Sequence, residues 1–433
     1  MTETLPETTA PDRACCDEGR RAGAVTRRSL LKAIGVGSVA IAAGPGIGMR
    51  AAFASDPGWS GDTVVVLSLR GGFDGLSAVV PLGDPDYAPN RPTIAVPQAS
   101  AFQLDPMFGL APGLAALQPL WNSNNLAFVH AAGLSAPNRS HFEAMQVMEQ
   151  AAPGSSLRSG WLDRTIGLHP AGGAFESVQM GSSQIPDSLL GDHPVLGMDS
   201  ISGFKLSGTS NAAQRTTWTN ALTALHSDAP AGLVDSSTTT LAALGTTATL
   251  SATAYVPANG AVYPSNSSVG NALKNAAQLI KANVGLRVLT IDLGDWDMHS
   301  GLGQATNGWM YGNLVELGGA LAAFGKDLGT ALAGVTLVTM SEFGRRVQEN
   351  ESHGVDHGWG NVMFVLGGHV NKTVHGTWPG LADANLTQGD LTATTDYRAV
   401  LADILVTRTG ASTAQVQQVF PGYNGTTLGI TTP

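Results

Sequence analysis

Two short segments in the second half of the chain concentrate carboxylates and imidazoles beside apolar runs. The first is "DWDMH", with Asp295, Asp297 and His299, and the second is "SHGVDH", with His353, Asp356 and His357. Histidine is scarce here, at ten residues in 433, so three of them within two acidic segments is a specific pattern. Imidazole nitrogens together with carboxylate oxygens are typical ligands of divalent metal ions. The two segments therefore predict a metal site.

Two other apolar runs also end in polar residues. Asp74 follows the first run of the fold, and Glu342 and Arg345 follow a later one. Asp74, between glycines, could equally be a turn residue, and Asp295 or Asp297 could cap the following helix instead of binding a metal. Metal-binding histidines usually donate a hydrogen bond to a carboxylate that fixes their tautomer, and we expect Asp356 and Asp295 to be candidates for that role.

A nucleophile candidate lies in "APNRSHFEAMQ". Ser140 precedes a predicted helix, with Arg139 before it and His141 after it, and a helix N-terminus favours an anionic nucleophile. A metal ion could activate its hydroxyl further. The same serine, with Glu143 three residues on, is also typical of a plain helix cap. We assign Ser140, His141, Arg139 and Arg345 to a candidate catalytic set, with either arginine holding the oxyanion.

Alternating apolar runs and amphipathic segments must position these groups. Predicted strands cover 63–69, 125–134, 286–294, 335–344 and 361–370, and predicted helices cover 140–150, 211–227, 269–284 and 311–330. Strands that alternate with long helices predict an α/β fold with a mostly parallel sheet and helices on both faces. Sites in such sheets form at the carboxyl ends of strands, where these polar groups would converge.

The remaining organisation is read from composition. A Ser/Thr/Ala-rich stretch of about 205–270 is predicted to be an insertion that caps the core. Residues 1–54 contain Arg27-Arg28, a modest apolar run and Ala52-Phe53-Ala54, which is typical of a twin-arginine signal peptide with cleavage after Ala54. An uncleaved membrane anchor is the alternative. Residues 55–433 would then form a single domain without a stable membrane span.

Removal of the signal would change both thiol content and charge. Cys15 and Cys16 would be lost, so the mature protein would rely on its core or on a metal for stability. Residues 1–54 hold 7 of the 23 basic and 5 of the 33 acidic residues, which leaves a net charge of −12. An acidic chain without a basic block is a poor nucleic-acid binder. We expect an exported, periplasmic or extracellular protein whose partner is the twin-arginine translocation machinery.

Several motifs together resemble one protein family. They are "LRGGFDGLSAVVPLGDPDYAPNRPTIAV", "NRSHFEAMQVME", "GWLDR", "DLGDWDMHS", "TLVTMSEFGRRVQEN" and "GVDHGWGNVMFVLGG". Over about residues 60–400 the chain resembles the domain of unknown function 1501 family. That family is similar to the alkaline phosphatase and sulfatase superfamily, whose members hold one or two metal ions at strand ends and use a Ser, Thr or modified Cys nucleophile at a helix start.

The resemblance implies an alkaline-phosphatase-like core and specific roles for individual residues. Asp74 would be the first-strand metal ligand, Ser140 the nucleophile, Asp297 and His299 the third ligand segment, and His357 the late histidine ligand. Glu342 and Phe343 stand where the superfamily carries an Asp-His pair, so one imidazole is missing there. Residue 295 is Asp in place of an expected Gly, and residue 298 is Met in place of Thr.

Two functions follow from these patterns. The first is an exported metal-dependent hydrolase that acts on small anionic phosphate or sulfate esters, with a divalent Zn, Mn, Ca or Mg ion at the strand ends. The second is a non-catalytic exported binding or assembly protein that kept the fold, which the missing imidazole and the unusual insertion favour.

Overall fold

The computed structural model describes residues 59, 61–209, 211–424 and 427–433, and the predicted signal peptide lies outside them. The predicted insertion contains two helices whose side chains are mostly exposed, and its role as a cap stays a prediction. The ten helices of the described residues are α1 Tyr87–Asn90, α2 Gln118–Asn122, α3 His141–Gln150, α4 Trp161–Ile166, α5 Ala212–His226, α6 Ala231–Leu250, α7 Ser268–Ala282, α8 Trp309–Leu328, α9 Tyr397–Arg408 and α10 Thr413–Val419.

Twelve strands make two sheets within the described residues. They are β1 Thr63–Leu69, β2 Val79–Val80, β3 Phe102–Gln103, β4 Gly109–Leu110, β5 Leu126–Gly133, β6 Ser177–Met180, β7 Leu196–Met198, β8 Val288–Leu293, β9 Val335–Met340, β10 Asn361–Gly367, β11 Val374–His375 and β12 Thr395–Asp396. The main sheet has the order β11-β5-β10-β9-β1-β8-β6-β7, with β12 also paired to β5. The short strands β2, β4 and β3 form a separate antiparallel sheet.

The central strand β1 explains why the fold has three layers. Its seven residues are all buried, and alternate side chains enter different cores. Val65 and Leu67 pack in a core that includes apolar residues of α7 and α8, whereas Val64 and Val66 pack in a core that includes α4, α9 and α10. Because a strand sends successive side chains to opposite faces, helices must cover both sides of the sheet. The predicted α/β class, with helices on both faces, is confirmed.

One strand departs from a purely parallel arrangement. Strand β10 is antiparallel to both of its neighbours, β5 and β9, whereas β1 is parallel to β8 and β9. The sheet is therefore mixed, although most of its pairings are parallel. The reversed direction has a consequence for the site, because the start of β10 lies at the same edge as the ends of the parallel strands.

His130 on β5 should make the fold sensitive to acid. Its Nε2 lies 2.9 Å from the Val79 carbonyl and its Nδ1 accepts the Ala131 amide, so the buried ring is satisfied only when neutral. Burial lowers its pKa from 6.5 to about 4. Because the unfolded chain takes up the proton at a higher pH, stability should fall as the pH drops from about 6.5 towards 4, by about 3 kcal/mol in total.

Urea unfolding across this pH range tests the expectation. His130→Gln removes the titrating group, so the variant should lose less stability than the wild type between pH 6.5 and 4. Contributions from other groups are common to both proteins and cancel in the comparison. Parallel stability profiles for the two proteins would contradict the assignment.

Candidate metal centre

Three segments at one edge of the main sheet bring the polar residues together. His141 is the first residue of α3, which follows β5, and Asp297 and His299 follow β8. The loop between β9 and β10 carries His357. Strand β5 runs parallel to β8 and β9, since β10 is antiparallel to both β5 and β9. The ends of the parallel strands and the start of β10 thus meet at one edge, which is where α/β sheets place their sites.

Three potential ligand atoms, from His141, Asp297 and His357, lie within 4.8 Å of one another at this edge, and His299 adjoins them. The Nε2 atom of His357 lies 3.0 Å from Nε2 of His141 and 3.0 Å from Nε2 of His299. The Oδ1 atom of Asp297 lies 3.2, 3.1 and 3.6 Å from the Nε2 atoms of His357, His299 and His141. Tetrahedral coordination with bonds of about 2.0–2.1 Å separates neighbouring ligand atoms by about 3.3 Å. The spacing of the His141, Asp297 and His357 atoms therefore fits one small metal ion, with His299 next to it.

The opposite ring nitrogens show which way the three imidazoles are protonated. Nδ1 of His141 lies 2.8 Å from Glu342 Oε1, and Nδ1 of His299 lies 2.8 Å from Asp356 Oδ1. Nδ1 of His357 lies 2.9 Å from the Arg139 carbonyl oxygen. All three partners are acceptors, so each Nδ1 carries a proton, and the neutral form of each ring then presents an Nε2 lone pair to the cluster. Lone pairs that face one another at 3.0 Å repel unless a cation lies between them.

The charge states at this edge suit metal binding at neutral pH. Burial alone would raise the pKa of Asp297, but the hydrogen bond from Arg345 and the charge of that guanidinium outweigh it and lower the pKa to about 2. Burial also lowers the pKa of His357, which keeps its ring neutral. Metal ligands must be deprotonated in this way before they coordinate.

Asp356 holds His299 in its orientation, and its own pKa is lowered chiefly by that hydrogen bond. The substitution Asp356→Asn removes the negative charge. It also supplies an amide NH₂ group, which cannot accept the hydrogen bond from Nδ1 of His299. Losing such an orienting partner typically weakens metal affinity by about 10- to 100-fold. A chelator-competition titration measures this effect. Asp383→Asn, in a short helical turn away from the cluster, is the matched control and should bind the metal as the wild type does.

Glu342, a predicted metal ligand, lies beside the cluster in a supporting position. The buried Glu342 accepts hydrogen bonds from the His141 ring and from the Gly71 amide at 2.8 Å each. Gly71 has a φ of +117°, and a Cβ there would lie 2.8 Å from the Asp297 amide nitrogen, so this close approach requires glycine. Glu342 therefore orients a histidine from a tightly packed position.

Both predicted oxyanion-binding arginines are held within the protein. The guanidinium of Arg345 is fully buried and donates to the Asp297 carboxylate and to four backbone carbonyls, those of Gly71, Gly72, Trp296 and Val355. Arg139 pairs with the buried Asp390 at 2.5 Å, while its carbonyl accepts the His357 proton. Each arginine thus positions a cluster residue.

Three predicted site residues lie apart from the cluster. Asp74 forms a buried ion pair with Arg91, at 2.6 and 2.9 Å. Asp295 accepts a hydrogen bond from the Trp309 ring at 2.8 Å, and the exposed His353 contacts Thr93 at 3.1 Å.

Ser140 is the N-cap of α3, and its hydroxyl accepts the Glu143 amide at 3.5 Å. The return hydrogen bond from the Ser140 amide to the Glu143 side chain, which would complete a capping box, is absent there.

Comparison with known families identifies the chain. A family model described as a protein of unknown function, DUF1501, matches residues 121–430, which is well over half of the chain. This chain belongs to the DUF1501 family. The match includes the four cluster residues and the predicted nucleophile. No curated protein matches the chain significantly.

Solved structures show only a slight likeness to this DUF1501 protein. One is the C-terminal periplasmic domain of EcEptC from Escherichia coli in complex with Zn, with 11% identity and a TM-score of 0.31 over 72% of this chain and 74% of that chain. Another is the lipoteichoic acid synthase LtaP from Listeria monocytogenes, with 9% identity and a TM-score of 0.31 over 77% and 74%. A likeness of this size does not establish a common fold.

A cleft of about 710 Å³ opens beside the cluster of this DUF1501 protein and is lined in part by His141, Asp297 and Glu342. Arg70, at the end of β1, also lines it and is held by Asp292 and Glu149 at 2.7 Å each. Sequence reasoning missed Arg70, although the motif "LRGG" places it directly before the glycine that approaches Asp297. None of the described helices is both long and apolar enough to cross a membrane.

Proposed function

We propose that this protein is a metal-dependent hydrolase of phosphate or sulfate esters, with one divalent ion held by His141, His299, His357 and Asp297. A single observation carries the proposal. Three imidazole Nε2 atoms, each on a ring whose Nδ1 faces an acceptor, lie with a carboxylate oxygen beside an open cleft. Metal sites of enzymes typically combine histidine ligands with carboxylate or carbonyl acceptors that hold the other ring nitrogen and so orient the ring.

The donor set favours particular metals. Three nitrogens and one carboxylate oxygen suit zinc, and manganese to a lesser degree, whereas calcium and magnesium prefer sites made of oxygen. Of the four ions that the sequence left open, we therefore propose zinc or manganese. When bound, such an ion would polarise the ester and stabilise the negative charge that develops on it.

The described residues support one metal ion rather than two. Phe343 stands where the superfamily carries a histidine, and its ring packs 4.8 Å from that of His141 and 4.7 Å from that of His357. The first-strand aspartate, Asp74, is already neutralised by Arg91. An apolar ring and a buried ion pair thus take positions that a second ion would need.

Ser140 remains the proposed nucleophile, because it begins the helix whose first residue is the ligand His141. Its Oγ would bond to phosphorus or sulfur as the bond to the ester oxygen breaks, and water would then release the product. Arg139 and Arg345 have their charges paired within the protein, so we assign contact with the substrate anion to Arg70. Its Nη1 has no hydrogen-bond partner among the described residues, while Nε and Nη2 are both engaged.

Hydrolysis of chromogenic aryl esters by the zinc- or manganese-loaded protein tests the proposal. We expect turnover by the wild type, and Ser140→Ala should lose at least about 1,000-fold in kcat while keeping its metal and losing about 1 kcal/mol of stability. Turnover by Ser140→Ala at the wild-type rate would place the nucleophile elsewhere. A metal-loaded wild type that hydrolyses no ester would leave the non-catalytic binding protein as the better account.

We also propose that the protein is exported by the twin-arginine machinery to the periplasm or beyond. The support is the paired Arg27-Arg28, the apolar run and the small residues that end at Ala54. N-terminal sequencing of the protein recovered outside the cytoplasm should begin at Ser55. Recovery of the intact chain in the cytoplasm would contradict the proposal.

A further inference from the structure

The composition of the cleft restricts what can bind beside the candidate metal. From this composition we infer that the substrate is a monoanionic ester, either a phosphodiester or a sulfate monoester, with an apolar group that packs on Phe142. This inference rests on the proposed function and narrows its substrate class. Two independent features support it, the charge of the cleft and an exposed aromatic side chain on its wall.

The charged side chains of the cleft are mostly acidic. One arginine, Arg70, faces five carboxylates, those of Glu149, Asp187, Asp292, Asp297 and Glu342. These six side chains have a formal charge of −4, which the buried Arg345 paired with Asp297 and one divalent ion would together reduce to −1. A ligand with two negative charges meets more repulsion in such a field than a ligand with one. The cleft should therefore discriminate against dianionic monoesters, although a metal ion alone would favour the higher charge.

Arg70 provides limited compensation for a bound anion. Two carboxylates already share its guanidinium, and only Nη1 is without a partner among the described residues. That nitrogen can donate to one oxygen of the ligand, which suits a group with a single negative charge. Asp187 contributes a carboxylate to the cleft without belonging to this ion-pair network, since its backbone amide makes the contact with Glu149.

The apolar part of the wall indicates what the rest of the ligand is. Phe142 follows the ligand His141 directly, lines the cleft and is 91% exposed, the most exposed large apolar side chain of the described residues. Met145 and Ile185 also line the cleft. An exposed aromatic ring beside a concave polar site is typical of a surface that a ligand covers. An aromatic or other apolar ester group would bury this ring.

Calorimetric binding of two unreactive analogues to the metal-loaded protein at pH 8.5 tests the inference without turnover. Methyl phenylphosphonate carries one negative charge and phenylphosphonate carries two, and both have the same ring. We expect the monoanion to bind at least about 10-fold more tightly. Asp187→Asn should reduce the ratio of the two dissociation constants by roughly 2- to 5-fold. Phe142→Ala should weaken binding of the monoanion by about 3- to 10-fold.

Two matched variants control for general surface effects. Asp192→Asn changes an exposed acid outside the cleft, and Leu225→Ala truncates an exposed apolar side chain on α5, so both should bind like the wild type. Equal or tighter binding of the dianion, or no effect of Phe142→Ala, would overturn the inference while leaving the metal site intact. Failure of the wild type to bind metal would instead overturn the proposed function, so the two failures are distinguishable.

Discussion

Replacing His357 with alanine is expected to reduce the affinity of the protein for zinc or manganese by more than about 100-fold, beyond the effect of losing an orienting partner. His357 lies at the centre of the cluster, with its Nε2 at 3.0 Å from both other imidazoles and at 3.2 Å from the Asp297 carboxylate. Its removal leaves a gap between His141, at the start of α3, and the pair Asp297 and His299 on the loop after β8. Ester turnover should fall with the bound metal.

A competitive titration with a chromophoric chelator measures this loss. His353→Ala is the matched control, since His353 lies in the same loop but is exposed and contacts Thr93 and Glu349 rather than the cluster. The control should bind metal with wild-type affinity, and it also tests the prediction from sequence that His353 is a ligand. Equal metal affinity of His357→Ala and the wild type would contradict the proposed site.

Arg345→Met should destabilise the protein by about 3–5 kcal/mol, the second large effect that we expect. The guanidinium is fully buried and satisfies the carbonyls of Gly71, Gly72, Trp296 and Val355. Methionine matches its length but donates no hydrogen bond, so these buried acceptors would lose their partner. The loops that carry Asp297 and the cleft residue Arg70 would lose a common support.

Urea unfolding of the metal-free proteins measures this effect apart from metal binding. Arg346→Met is the matched control, because the neighbouring arginine is half exposed and its ion-pair distance to Asp390 is 3.9 Å. Such a pair contributes at most about 1 kcal/mol. If Arg345→Met unfolds at the same urea concentration as the wild type, Arg345 is not the support that its contacts indicate.

The fold class could be predicted from the sequence because local patterns determine most of it. The apolar run at 63–69 became β1 with both faces buried, and the amphipathic pattern at 269–284 became α7 at Ser268–Ala282. The direction of β10 could not be predicted, since an apolar run looks the same in parallel and antiparallel pairings. That direction matters, because it carries His357 to the edge where the other strands end.

The candidate site could be predicted only where its residues lie close together in the chain. Asp297, His299, Asp356 and His357 stand out as two dense motifs, and the structure brings these motifs together. His141 was predicted as a catalytic neighbour of Ser140, but its ring meets that of His357 across 216 positions, a contact that no local pattern reveals. The burial of Arg345 and the pairing of Asp74 with Arg91 depend on similar long-range contacts.

The metal content of the mature wild-type protein tests the central claim most directly. The protein would be purified without chelator or affinity metal, incubated with zinc or manganese, desalted and subjected to elemental analysis. We predict one equivalent of metal per chain, because the ligand atoms of His141, Asp297 and His357 lie within 4.8 Å of one another and Nε2 of His299 lies 3.1 Å from the Asp297 carboxylate. A folded protein that stays free of metal after both incubations would contradict the account, since the facing imidazole lone pairs would then have no cation between them.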